Sequence, residues 1–193
     1  YQKVIARSCD ELWGLEPDQG ITPEPGIFTQ FQHAMMETAV LPENAFDAAY
    51  SFMVMEHVAD PVGFLKAVHR CLKPGGAYYF VTVNKRHYFT LLASTMRALK
   101  IDEMMLRVLR GRQSVEGYHY PTVYKANKPE QIDELARQAG FEKPDYVFTE
   151  TEGPAPYLPG PLKLILWTMQ AKRRMIKNPN VLLRLVARLR KPK

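Results

Sequence analysis

The chain has 193 residues, 46% hydrophobic and 24% charged, an ordinary globular composition with length for one sizeable core. No run of eighteen or more uncharged apolar residues occurs and no secretory leader is recognisable, while Cys9 and Cys71 lack metal-ligand spacing; a spanning helix, secretion and a disulfide framework are therefore not expected, and reduced thiols in a cytoplasmic setting are. The net charge of +6 hides a split: residues 1–152 carry 16 basic and 20 acidic side chains, and residues 153–193 carry 10 basic and no acidic one.

Tyr1 to Ser8 reads as the end of a helix. Glu11 to Glu16 reads as a short strand that closes on a carboxylate and Pro17. Asp18 to Gly26 is rich in Pro and Gly and carries no helix pattern, and Phe28 to Met36 reads as a strand running into Glu37 and Thr38. A short apolar run after Asp47 suits a buried strand. Asp60-Pro61 supplies an N-cap and a first-turn proline, and Phe64, Leu65, Val68 and Leu72 recur at helical spacing up to a stop at Pro74-Gly75-Gly76. Ala77 to Val83 is aromatic and β-branched, as a central strand should be. Strand, helix and strand of this length predict a right-handed parallel crossover and an α/β sheet.

Beyond Asn84, residues 88–110 show a helical rhythm expected to form a cap, and Val115 to Tyr124 is an aromatic, turn-rich stretch suited to a pocket wall. Lys128-Pro129 opens a helix that stops at Gly140-Phe141, and Asp145 to Thr151 alternates like a strand. After the proline-rich stretch 154–161, Leu162, Ile165, Leu166 and Met169 share a helical face that runs into Lys172, Arg173, Arg174 and Lys177. Such a helix has the composition of one lying on an anionic membrane surface, and equally that of one packed on its own domain with a solvated basic side. Leu183 to Arg190 has a period of two that fits an edge strand, with a basic amphipathic helix as the rival.

Four pieces in fixed order carry a resemblance: Glu37-Thr38-Ala39-Val40-Leu41-Pro42, Phe46 to Ser51, Met55-Glu56-His57-Val58-Ala59-Asp60-Pro61, and Leu72-Lys73-Pro74-Gly75-Gly76. Together they resemble the central half of a class I S-adenosylmethionine-dependent methyltransferase of the small-molecule type. The resemblance implies a Rossmann-like α/β sheet with helices on both faces, a helical cap after the fifth family strand, and a helix before a final edge strand; the Arg-Lys-Pro ending favours the strand at 183–190. It implies a methyltransferase core over residues 1–152, with cap and aromatic loop at 85–127, and a basic extension over 153–193. The family's first strand and glycine-rich cofactor loop have no counterpart here and are expected upstream of Tyr1.

S-adenosylmethionine is the cofactor the resemblance implies. Glu16, beside Pro17, takes the ribose hydroxyls, Glu37 the adenine amino group and the Thr38 amide a ring nitrogen, with Ser51, Phe52, Met53 and His57 completing the cofactor side. Ligands of open α/β sheets bind outside the carboxyl ends of the strands, which points to Phe52, Met53, Glu56 and His57 on one side and Asn84 on the other, the acceptor side; Tyr118, Tyr120 and Tyr124 either line an aromatic acceptor pocket or pack the cap. Methyl transfer from a sulfonium is an in-line displacement, so a hydroxyl acceptor needs alignment and a base. His57 and His119 are the candidates, with a positioning role for His57 equally open. No histidine pair has zinc-like spacing, so no metal site is expected. The acceptor is expected to be a small molecule or a lipid-linked or glycan precursor, with O-methylation favoured and peripheral association at the inner membrane surface through 162–177. Two alternatives stand beside this: a non-catalytic scaffold, and a nucleic-acid methyltransferase using the basic tail. The second is disfavoured because the basic residues are not interleaved with stacking aromatics.

Overall fold

A computed structural model describes residues 2–87, 122–150, 164–175, 178 and 182–193. The expected cap at 88–110, the aromatic residues Tyr118, His119 and Tyr120, and the proline stretch 154–161 lie outside the described residues.

In chain order the elements are α1 (Gln2–Ala6), β1 (Trp13–Leu15), β2 (Gln30–Gln32), β3 (Phe46–Phe52), α2 (Pro61–Cys71), β4 (Leu72–Val83), α3 (Pro129–Gln138), β5 (Asp145–Thr149), α4 (Leu164–Met175) and β6 (Arg184–Arg190). β1 and β2 form a parallel pair, and the larger sheet has the order β3-β4-β6-β5. β3 runs parallel to β4, and β6 is antiparallel to both β4 and β5. The carboxyl ends of β3, β4 and β5 therefore share one edge of the sheet. The smaller sheet meets the larger where the Trp13 and Phe46 rings contact edge to face, 5.4 Å between centroids.

Local chemistry accounts for the helices. The Asp60 carboxylate accepts from the Gly63 amide at 3.1 Å, and Pro61 sits where no N–H is needed, so α2 starts as its sequence predicts. At its other end the Lys191 ammonium donates to the carbonyls of His69 (2.9 Å) and Leu72 (2.8 Å) and to Asn44 Oδ1 (2.7 Å). α3 ends at Gly140, whose φ of +89° is open to a residue without a Cβ. Leu65 and Val68 of α2 and Ile132 and Ala136 of α3 bury against Tyr78, Phe80, Leu185, Ala187 and Leu189 on one face of the sheet. These residues form the core.

The α/β, Rossmann-like sheet is as expected, with three differences in detail. Pro74-Gly75-Gly76 does not stop a helix ahead of a separate strand: it lies inside β4. The register steps from Phe46↔Leu72 to Ala48↔Ala77, so two positions on β3 face five on β4, and the excess is taken up in a bulge where Gly75 has φ +79°. Lys191 N–H closes it onto Gly76 O at 2.9 Å.

β6 is an interior strand, not the expected edge. Alternation of leucines with arginines reports that one face is buried, and is silent about how many strands flank it. Leu185, Ala187 and Leu189 are fully buried, while Arg188 on the other face donates through Nε to Asp145 of β5 at 3.0 Å.

Helices were expected on both faces of the sheet. Among the described residues α2 and α3 cover one, and the other presents Tyr50 (39% exposed), Phe52 (42%), Tyr79 (42%) and Val147 (60%). The Pro- and Gly-rich 18–26 stretch forms no helix, in keeping with its composition.

Candidate active site

Two groups of side chains lie at the carboxyl ends of parallel strands, where open α/β sheets bind ligands. The first belongs to the smaller sheet. Glu16 directly follows β1, tied to β2 by its amide donating to Gln32 O at 3.1 Å, and its half-buried carboxylate accepts from the Asp18 amide through Oε1 at 3.0 Å. Pro17 is exposed beside it. Past β2, Gln32 clamps the loop with its amide, donating to Val40 O at 2.9 Å and accepting from Val40 N at 3.3 Å. Glu37 and Thr38 sit exposed on that clamped loop. The Thr38 amide, expected to meet a ligand's ring nitrogen, donates instead to Met35 O at 3.1 Å, because residues 35–38 close a tight turn. That assignment is corrected: the amide serves the turn.

The second group belongs to the end of β3. The hydroxyls of Ser51 and Tyr78 share a 2.6 Å hydrogen bond, and burial pushes the Tyr78 phenol well above its ordinary pKa. Phe52 faces the open side of the sheet with the Arg184 guanidinium 5.5 Å from its ring centroid. Met53 follows with φ +55°, its amide donating to Val81 O at 2.8 Å, and the chain then turns so that the His57 amide donates to Val54 O at 2.9 Å. His57 itself is half-buried.

Asn84, expected on the acceptor side, is fully buried. Its Nδ2 donates to Leu182 O at 2.9 Å and its Oδ1 accepts from the Arg86 amide at 3.0 Å, which ties the end of β4 to the lead-in of β6. These bonds make Asn84 a tie between the two strand ends. His119, Tyr118 and Tyr120 lie outside the described residues.

At this edge lie two polar clusters whose connections the sequence reading did not anticipate, although it named Glu56 as a site residue. Asn127 Nδ2 donates to Thr82 Oγ1 at 2.7 Å and to Val83 O at 2.9 Å, and Thr82 Oγ1 donates to Glu56 Oε2 at 2.9 Å. Glu56, Thr82 and Asn127 are all buried, and burial raises the Glu56 pKa above the usual carboxylate value while the hydrogen bonds it accepts pull the other way. In the second cluster the Glu150 carboxylate, just past β5, lies 3.6 Å from His87 Nε2 and 3.4 Å from Lys172 Nζ of α4. Burial, and then the Lys172 charge, lowers the His87 pKa to about 4, so the imidazole is neutral at physiological pH and Lys172 is the ionic partner of Glu150. Neither cluster has a local sequence signal, since each joins residues far apart in the chain.

A cofactor with ribose hydroxyls and an exocyclic amine offers hydrogen-bond donors, which suits a carboxylate directly after β1, as Glu16 is, and one on the clamped loop past β2, as Glu37 is. Among the described residues no group of three or more His, Cys, Asp or Glu could hold a metal ion, and no helix is long and apolar enough to cross a membrane.

Residues 2–80 match the sequence family described as "Methyltransferase domain". Among curated proteins, a ubiquinone biosynthesis O-methyltransferase of Ruegeria pomeroyi is 28% identical over 148 residues, covering 73% of this chain and 55% of the relative. The protein of the same name from Dinoroseobacter shibae is 31% identical with the same coverage. The chain thus spans about half the length of the curated relatives it matches. Among solved structures, a Thermotoga maritima protein described as a SAM-dependent methyltransferase and possible histamine N-methyltransferase superposes with a TM-score of 0.59 at 19% identity. That superposition covers 93% of this chain and 72% of the other, and it shows a shared fold.

Proposed function

We propose that the chain is a class I S-adenosylmethionine-dependent methyltransferase, a reading supported by the match of residues 2–80 to a methyltransferase domain and by the curated relatives, and that it moves a methyl group to a hydroxyl oxygen of a small-molecule acceptor. The observation that carries this reading is the placement of Glu16 just after β1, Glu37 on the loop past β2 and the Ser51–His57 turn at the end of β3, each following a strand that pairs parallel with a neighbour and all within the part that matches the methyltransferase domain. When bound, the cofactor supplies an electrophilic methyl on a sulfonium whose departure needs no acid. Glu16 binds the ribose hydroxyls and Glu37 the adenine amine, while Met53 and the apolar turn around it exclude water from the sulfonium end. His57 is the described residue best placed to take the acceptor's proton or to hold the acceptor by hydrogen bonding, and His119 is the second candidate. The oxygen acceptor is suggested by relatives named for ubiquinone biosynthesis O-methylation.

α4 supports a lipid-linked acceptor reached at a membrane surface. Leu164, Trp167 and Met175, spaced to share one side of the helix, are exposed, whereas Lys172 turns inward to Glu150. Thr168 is exposed among them, and exposed apolar groups on a strongly basic tail suit an anionic bilayer; the face expected from Leu162, Ile165, Leu166 and Met169 lies outside the described side chains.

The test is calorimetric titration of S-adenosylhomocysteine into the full-length polypeptide, with Glu16→Ala and Glu37→Ala variants. Micromolar binding, weakened about tenfold or more by each substitution, is expected from the loss of hydrogen bonds to a charged group. Absence of binding by the folded wild-type protein would overturn the enzymatic reading in favour of a scaffold.

A further inference from the structure

We propose that Asn127 and Thr82 are positioning residues of this site: acting through Glu56, they hold the turn that carries Met53 and His57 in the arrangement that meets cofactor and acceptor. The proposal rests on the methyltransferase reading for its consequence, and on geometry for its substance.

The polarity of the hydrogen-bond chain is set at its Asn127 end and, with Glu56 ionised, runs toward the carboxylate. Asn127 Nδ2 lies 2.9 Å from the Val83 carbonyl, which can only accept, so this atom is the amide nitrogen and donates both its hydrogens, one to Val83 O and one to Thr82 Oγ1. The Thr82 hydroxyl, already accepting, passes its one proton to Glu56 Oε2 at 2.9 Å. Glu56 is therefore the acceptor terminus of a buried relay that begins on the segment returning to α3. Backbone bonds run beside it: Glu56 O accepts from the amides of Val123 (2.7 Å) and Tyr124 (3.2 Å), and Lys125 Nζ donates to Ala59 O at 2.6 Å. The 54–59 turn and the 122–127 segment are in this way fastened to each other and to the end of β4.

Strain marks both ends of the fastening. Met53 and Tyr124 have φ of +55° and +52°, the left-handed region that a side chain disfavours by roughly 1–2 kcal/mol. Such conformations persist only where the surroundings over-determine them. Met53 and His57 are the residues the turn presents at the carboxyl edge. Three buried polar side chains, one of them a carboxyl, hold a geometry that an apolar trio of equal volume would not specify, although it could match them in stability. Asn127 was invisible in the sequence reading because it precedes a helix where a polar residue is unremarkable.

The experiment compares Thr82→Val, which keeps the shape and removes the relay, with Thr82→Ser, which restores the hydroxyl. Val68→Ala, in the core of α2, serves as a control for lost stability. S-adenosylhomocysteine affinity by calorimetry and amide hydrogen exchange at Val123, Tyr124 and His57 are measured on the full-length protein. Thr82→Val is expected to weaken binding about tenfold and to speed exchange at those amides, with Thr82→Ser close to wild type. Val68→Ala should lower the melting temperature and leave both readouts nearly unchanged. Wild-type affinity and exchange in Thr82→Val, or equal losses in Val68→Ala, would overturn the proposal. If the wild-type protein binds no S-adenosylhomocysteine, the methyltransferase reading fails, and the exchange data alone decide whether the relay holds the turn.

Discussion

Acidification should destabilise this protein through His87. The imidazole is enclosed, with a folded-state pKa of about 4, whereas an unfolded histidine titrates near 6.5. Between these values the unfolded chain binds a proton that the folded one refuses, so stability is fully present above about 6.5 and is lost as pH falls. A shift of this size is worth at most about 3 kcal/mol, and between pH 7 and pH 4.5 it amounts to about 2 kcal/mol. That is a large share of a typical domain's 5–15 kcal/mol. Glu56 works in the opposite sense: its raised pKa favours the folded state as it takes up a proton, so stability from that group grows with acidification. The His87 contribution is therefore isolated by difference. Urea unfolding at pH 7 and pH 4.5 on wild type and His87→Gln should show a midpoint loss in the wild type that the variant escapes. An equal loss in both proteins, or an NMR titration placing His87 near 6.5, would refute the reasoning.

Two further outcomes are expected. Gly76→Ala should destabilise the protein by about 2–3 kcal/mol in urea unfolding, because the added Cβ would lie 2.9 Å from Lys73 O and 3.0 Å from Asp47 O; a loss under about 0.5 kcal/mol would show that the bulge can relax. Trp167→Glu should lower sedimentation with phosphatidylglycerol vesicles by about tenfold while leaving zwitterionic vesicles unbound, since Trp167 is exposed on α4; equal sedimentation of variant and wild type would remove the membrane surface from the account.

How much of this was legible in the sequence depended on the range of the forces involved. The start of α2 could be read to the residue because its N-cap and first-turn proline are local, and α3 could be read to within a residue from Pro129 and Gly140. Glu16 was placed at a strand end for similar reasons. Pro74-Gly75-Gly76 misled because its composition specifies a tight backbone without saying whether a neighbouring strand continues through it. The interior position of β6 depends on pairing with β4 and β5 together, which no period within Arg184 to Arg190 can encode. Asn84 is polar and follows a strand, which is visible locally, but that its amide also answers the Leu182 carbonyl, on a segment far along the chain, is not. The Glu56–Thr82–Asn127 relay is hidden in the same way.

The interior place of β6 sets an order of assembly. β5 has no bond to β4 except through β6, although it precedes β6 in the chain. During synthesis the ribosome must deliver residues 184–190 before Asp145–Thr149 can join the sheet, so β3, α2 and β4 can associate early while β5 waits. Until then β4 keeps an open hydrogen-bonding edge and Tyr78 and Phe80 lack the leucines of β6. The nascent chain therefore carries an open strand edge and uncovered aromatic side chains through that interval, when a chaperone would have something to protect.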